Sequence, residues 1–113
     1  MGNYINAYKL QQHMGDVRYR NLCAGEYNEL VAESCIGRAE AIIDAFAAGR
    51  YAVPMPVCSR LEEWALGLAE YEAYKKRMPD DIPARVREAF LIITSLLSDL
   101  AGGRLELEGN NAK

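Results

Sequence analysis

The chain has no apolar run approaching the roughly 20 residues that a membrane-spanning helix needs, so a helical span is not expected. Its opening residues, Met1-Gly2-Asn3-Tyr4-Ile5-Asn6, lack the basic and apolar regions of a secretion signal. A myristoylation signal on Gly2 would need a Ser or Thr where Asn6, Ala7 and Tyr8 stand. Histidine is scarce: His13 is the only one. The three cysteines, Cys23, Cys35 and Cys58, form no C-x-x-C pair. An odd number at wide spacing speaks against a disulfide framework or a zinc site, and for free, reduced thiols in a cytosolic protein. A basic excess is missing too. Thirteen Lys and Arg against 16 Asp and Glu give a net charge of -3, which disfavours nonspecific nucleic-acid binding, since that needs a basic face to displace counterions. No glycine loop is placed to cradle a phosphate, because Gly102-Gly103 follows a helical segment instead of preceding one. There is no internal repeat and no stretch with the composition of an interdomain linker.

What is present is an ordinary globular balance. Of 113 residues, 50% are hydrophobic and 26% charged, enough for one domain with a modest core. The pattern is helical. Asn6 is a candidate N-cap and Gly15 a candidate stop for a short helix ending at Met14. Residues 15–25 show no clear period and read as loop, with at most a turn of helix. From Tyr27 to Ala48, Val31, Cys35, Ala39, Ile42 and Phe46 recur at helical spacing, with Leu30 and Ile43 widening the stripe. Gly37 interrupts this helix and suggests the close approach of a neighbour. Gly49 ends it.

Arg50 to Cys58 is a strap. Pro54 and Pro56 fix two φ angles and remove two backbone donors, which makes a rigid crossover and rules out a central strand. Ser59-Arg60-Leu61-Glu62 reads as a capping box for a helix to Arg77, with Leu61, Trp64, Ala65, Leu68 and Tyr71 on its apolar side. Glu62, Glu63, Glu70 and Glu72 precede Lys75, Lys76 and Arg77, complementing the helix dipole from the polar face. Asp80 is placed to cap a last helix that runs to Ala101 on Val86, Phe90, Ile93, Leu97 and Leu100, and Gly102-Gly103 ends it. The tail Arg104-Leu105-Glu106-Leu107-Glu108 alternates in the manner of a strand. It could join another protein's sheet or fold back on its own domain. Residues 109–113 read as a disordered end. The expected fold is all-α: a small four-helix bundle with a proline-rich crossover and an extended C-terminal arm.

No catalytic constellation emerges. A Cys–His pair has no support beyond the existence of His13. Asp80-Asp81 is better explained by capping than by metal or acid–base work. Trp64, Tyr71 and Tyr74 read as core, because an aromatic platform for bases needs a basic surround. A helix-turn-helix is disfavoured, since the last helix offers Arg85 and Arg87 and then turns apolar. Arg50 and Tyr51 have two readings each: capping and covering the core end, or contact with a neighbouring subunit, where Arg and Tyr are enriched.

The segment carrying Ile43-Asp44, Phe46, Arg50-Tyr51 and Pro54 resembles a family of small proteins encoded in the head-morphogenesis region of tailed phages and Mu-like prophages. The resemblance extends over most of the chain, from Tyr4 to Leu107, with the helix from Arg60 to Arg77 and the ending Ala101-Gly102-Gly103 supporting it. Met55 stands where the family more often has Leu. The stretch from Arg18 to Tyr27 is more basic than usual and carries Cys23. That family is similar to helical head–tail connector proteins, also called adaptors or head-completion proteins. The resemblance implies a structural protein, neither an enzyme nor a carrier of cofactor or metal. It implies a helical adaptor domain over 1–103 and an arm over 104–113, whose Arg104, Leu105, Glu106, Leu107 and Glu108 would bind the portal. In such an assembly the second of the two readings of Arg50 and Tyr51 would put them at a subunit interface. The partners implied are the portal protein, a stopper or tail-completion protein, and further copies of the chain in a ring, twelve-fold in that class. DNA would pass through the channel without sequence-specific binding, and no membrane is involved. The place implied is the head–tail neck of a virion assembled in the bacterial cytoplasm. The alternative is a small helical regulator that binds DNA or another protein.

Overall fold

Asn6 does what its position suggests: its side chain accepts the Lys9 N–H at 2.9 Å and starts helix α1, Ala7–Met14. In the computed structural model, which describes residues 4–23, 28–105 and 107, Gly15 ends this helix at a φ of 87°. The same glycine opens α2, Asp16–Leu22. The stretch from Gly15 to Cys23 is therefore helical, where no period was legible. Seven residues make too few turns to show one, and α2 buries only Leu22. Residues 24–27 lie outside the described residues. Three long helices follow: α3, Asn28–Ala47; α4, Ser59–Arg77; and α5, Ala84–Ala101. Among the described residues the fold is all-helical, with five helices instead of the four expected.

The layout follows from α4. It packs against α3, α5, α1 and α2, and so is buried on nearly all sides. Small residues make this possible. Ala65, Ala69 and Ala73 are fully buried, and Gly67 faces Ile93 of α5 so closely that an added Cβ would stand 2.5 Å from the Ile93 Cδ1. Close helix packing therefore occurs at Gly67 and not at Gly37, which is exposed with open space where a Cβ would go. Gly37→Ala should raise stability by about 0.5–1 kcal/mol, read as a higher urea midpoint with an unchanged slope.

The buried face of α3 follows the expected stripe through Val31, Cys35, Ala39 and Ile43 and is widened by further small residues. Ala32, Ile36, Ala39, Ile43 and Ala47 are fully buried, with Val31 and Cys35 beside them, while Ile42 and Phe46 are half-buried. Alanines carry little weight in an apolar stripe, yet they set the contact where α4 approaches. On α5, Val86, Ile93, Leu97 and Leu100 are buried as expected, and Phe90 stacks on Tyr71 with ring centroids 3.9 Å apart. Trp64 and Tyr74 are core residues.

Two expected caps do not form. Cys58 is the N-cap of α4 without a side-chain bond, and Glu62 instead pairs with Lys9 of α1 at 3.0 Å. Helix α5 begins after Pro83, three residues beyond Asp80, and Asp80 and Asp81 are both exposed. The strap carries a cis Val53–Pro54 bond. Among the described residues the tail shows no strand, and Leu107 turns back into the core at 4% exposure.

Candidate functional site

The chain before α1 must find acceptors for its backbone donors, because helices supply none outside their own turns. Glu40, on α3 and 6% exposed, provides them. Its Oε2 accepts the N–H of Tyr4 at 2.7 Å and that of Ile5 at 3.0 Å. The strap poses the same problem in reverse. Between Pro54 and Pro56 only Met55 retains an N–H, and Met55 is buried. That N–H donates to the Tyr4 hydroxyl at 2.9 Å, and the hydroxyl donates in turn to Asp44 Oδ1 at 2.6 Å. One tyrosine thus ties the N-terminal segment, α3 and the strap together. Asp44 and Pro54 both belong to the segment that carries the family resemblance, and Tyr4 begins it.

Burial, together with the hydrogen bond to Asp44, pushes the Tyr4 phenol well above its ordinary value. A group held protonated in the fold contributes stability that is complete below its unfolded pKa, about 10 for tyrosine, and lost as pH rises beyond it. Wild type should therefore lose up to about 1.4 kcal/mol per pH unit to this group above pH ~10. Tyr4→Phe should be less stable at neutral pH by about 1–3 kcal/mol, because the buried Met55 N–H loses its acceptor. It should also show a shallower alkaline decline. Thermal melts from pH 8 to 11 on both proteins read the difference, and parallel curves would contradict this role.

A second group joins the helices. Glu70 and Glu72, expected on a solvated face, are 3% and 6% exposed because α4 is central. The Glu70 carboxylate takes His13 Nε2 of α1 at 3.1 Å and Arg85 Nη2 of α5 at 3.2 Å. Glu72 takes Arg38 Nε of α3 at 3.3 Å. Such pairs fix register more than they add stability. Periodicity could not reveal them, because a glutamate on a helix looks the same whether water or another helix lies beside it.

The residues singled out by sequence are placed as follows. Tyr51 is 1% exposed and lies in the chain's own core. Arg50 is half-buried, its guanidinium laid against Gly103, and its Nε is buried without a partner. Gly103 has a φ of 81°, so its backbone calls for glycine, and the Arg50 guanidinium lies against it. Arg104 pairs with Asp99 at 3.0 Å, and its backbone N–H donates to the Asp99 carbonyl at 2.8 Å. Leu105 is half-buried and Leu107 buried, whereas Glu106 and Glu108 lie outside the described residues. The structure brings Arg50 and the start of the arm together at the end of α5, a pairing that sequence did not foresee.

Two surface features were also missed. Leu91 and Ile92 of α5 are 59% and 60% exposed, and Tyr8 of α1 and Val17 of α2 are 68% and 70% exposed. The run Phe90-Leu91-Ile92-Ile93 was the available signal, since four successive apolar residues span more of a helix than one face can bury. Among the described residues no group of three His, Cys, Asp or Glu is arranged to hold a metal. Among the described residues no helix is long and apolar enough to cross a membrane.

The family model described as Bacteriophage Mu, Gp36 matches residues 4–113. The chain belongs to the bacteriophage Mu Gp36 family. Comparison with curated proteins finds no match. Gp36 membership makes this a phage protein and points to a structural or morphogenesis component. The match begins at Tyr4, the residue that clamps the N-terminal segment to α3 and the strap.

Proposed function

We propose that this Gp36-family chain is a head–tail connector, an adaptor that assembles as a ring on the portal and extends the DNA channel toward the stopper or tail. The observation that carries the reading, beyond the family, is that large apolar side chains stay exposed on different helices of one small subunit. Leu91 and Ile92 are exposed on α5, and Tyr8 and Val17 on α1 and α2. Contacts between unlike patches are head-to-tail, and head-to-tail contacts that close make rings. The charge of -3 suits a channel that DNA traverses without adhering. Helix α5 ends at the turn where Arg50 meets Gly103, and Arg104, the first residue of the arm, follows that turn. As the portal-binding element, the arm would have to withdraw Leu107 from the subunit's own core on engagement. Arg50 is half-buried, and in this reading its exposed part would face the adjoining subunit. Twelve copies, placement at the neck of the virion and assembly in the host cytoplasm belong to the same reading.

The test is co-sedimentation with the portal ring of the same phage. Wild type should sediment with it. Leu91→Glu/Ile92→Glu, which touches only exposed positions, should keep its melting temperature and lose assembly. Assembly undiminished by both glutamates would remove the α5 patch from the interface. Salt-sensitive binding to DNA, with no portal complex, would favour a regulator instead.

A further inference from the structure

A cavity of about 260 Å³ opens between α3 and α4. Helix α3 lines it with Ser34, Cys35 and Arg38, and α4 with Glu72, Lys75 and Lys76. Spacings of three and four place each set on one face of its helix. Glu72 holds the group together. Its side chain is 7% exposed, whereas those of Arg38 and Lys75 are 66% and 51% exposed. One carboxylate oxygen, Oε2, accepts from Arg38 Nε at 3.3 Å, and the other, Oε1, lies 3.9 Å from Lys75 Nζ. That bond engages the Nε of Arg38 and leaves its Nη groups for a further acceptor. Among the described residues the side chains of Lys76 and Ser34 have neither an ion pair nor a hydrogen bond. Three positive charges and one carboxylate leave an excess of two positive charges around the cavity, in a chain whose net charge is -3. Lysines in the last turn of α4 also offset the helix dipole, but that task takes only about half a charge.

We propose that this cavity binds a phosphate dianion, as the free ion or as a phosphomonoester. The proposal does not depend on the connector reading. Three features select that class of ligand. The first is charge. A phosphoryl group carries about -1.5 to -2 at neutral pH, which balances the local excess of two. A carboxylate, or one phosphodiester of a nucleic-acid backbone, brings a single charge. The second is the number of donors. The Arg38 Nη groups, two ammonium groups and the Ser34 hydroxyl exceed what the two oxygens of a carboxylate can accept, and suit a tetrahedral oxyanion with three acceptor oxygens. The third is preorganisation. Glu72, buried and bonded to Nε, fixes the Arg38 guanidinium before a ligand arrives, so less side-chain entropy is lost on binding. Glu72 is thus a positioning residue, and Arg38, Lys75, Lys76 and Ser34 make the contacts.

The test is titration of the full chain with inorganic phosphate at low salt, read by calorimetry and by amide shifts in nuclear magnetic resonance. Saturable binding is expected, with the shifts concentrated on Ser34 to Arg38 and Glu72 to Lys76. Lys76→Gln and Arg38→Gln should each weaken binding at least about tenfold, because each removes a charge-assisted bond. Lys76→Gln breaks no bond of the fold, so its loss of affinity reports the site and not unfolding. Arg60→Gln, exposed at the other end of α4 and roughly 24 Å away along its axis, should bind as wild type does. Acetate should bind at least about tenfold more weakly than phosphate. A short DNA duplex with and without a terminal phosphate separates the sources. Binding that needs the terminal phosphate and is displaced by inorganic phosphate assigns the site to a DNA end. Binding of inorganic phosphate alone assigns it to the free ion. The proposal fails if phosphate does not saturate, if acetate binds equally well, or if Lys76→Gln and Arg38→Gln leave the affinity unchanged. It fails equally if both duplexes bind alike while inorganic phosphate does not, because the contact is then to the DNA backbone.

Discussion

Glu40→Ala should destabilise the chain by about 3 kcal/mol and lower its melting temperature by roughly 10 °C. The carboxylate oxygen that accepts from both Tyr4 and Ile5 disappears, and both N–H groups are buried. Each orphaned donor costs about 1–3 kcal/mol, because water cannot reach it unless the segment lifts away. Lifting would uncover Tyr4 and Ile5, each 3% exposed, and would release Met55 of the strap from the Tyr4 hydroxyl. Glu40→Gln keeps an oxygen acceptor and should cost about 1 kcal/mol, the difference between a charge-assisted bond and a neutral one. Urea denaturation of the three proteins gives the ranking. Hydrogen exchange gives the mechanism: the Tyr4 and Ile5 amides should lose protection in the alanine variant before α4 does. Equal stability of Glu40→Ala and wild type would mean that the N-terminal segment is not docked as described.

The second large effect lies on α5. Leu97 is fully buried, and Leu97→Ala should cost about 3 kcal/mol, the sum of lost transfer energy and the cavity left behind. Leu91→Ala, the same substitution on the same helix, should stay within about 0.5 kcal/mol, because Leu91 is 59% exposed. The pair reads the rotation of α5 directly. It also separates two tasks. A residue that holds the subunit together should change stability, and one that meets a neighbour should change assembly alone. Chemical denaturation measures the first and co-sedimentation with the portal the second. A large loss of stability from Leu91→Ala would place that face inside and remove the α5 patch from the proposed interface.

Much of this was legible in the sequence, for physical reasons that differ from element to element. Asn6, Gly15 and the two strap prolines act locally, so their roles could be read from a few neighbouring residues. Helix α5 was legible because large aliphatic residues carry its buried face. Helix α3 was legible through Val31, Cys35, Ala39 and Ile43, while the buried Ala32 and Ala47 escaped notice because alanines carry little weight in an apolar stripe. Helix α2 escaped notice because it is too short to show a period. The capping box at Ser59 failed because Glu62 has a better partner in Lys9, a residue remote in sequence. Tertiary partners likewise explain the clamp. Tyr4, Glu40, Asp44 and Met55 share no local pattern. The aspartate of Ile43-Asp44 was visible as part of a family pattern, but its task of holding the Tyr4 hydroxyl needed the fold.

The connector account meets its most direct test in native mass spectrometry of the chain mixed with the portal of the same phage, full length and ending at Gly103. It predicts one complex with many copies of the full-length chain per portal ring, lost when the arm is removed. A discrete dimer of the chain, with the portal ring left bare, would contradict it.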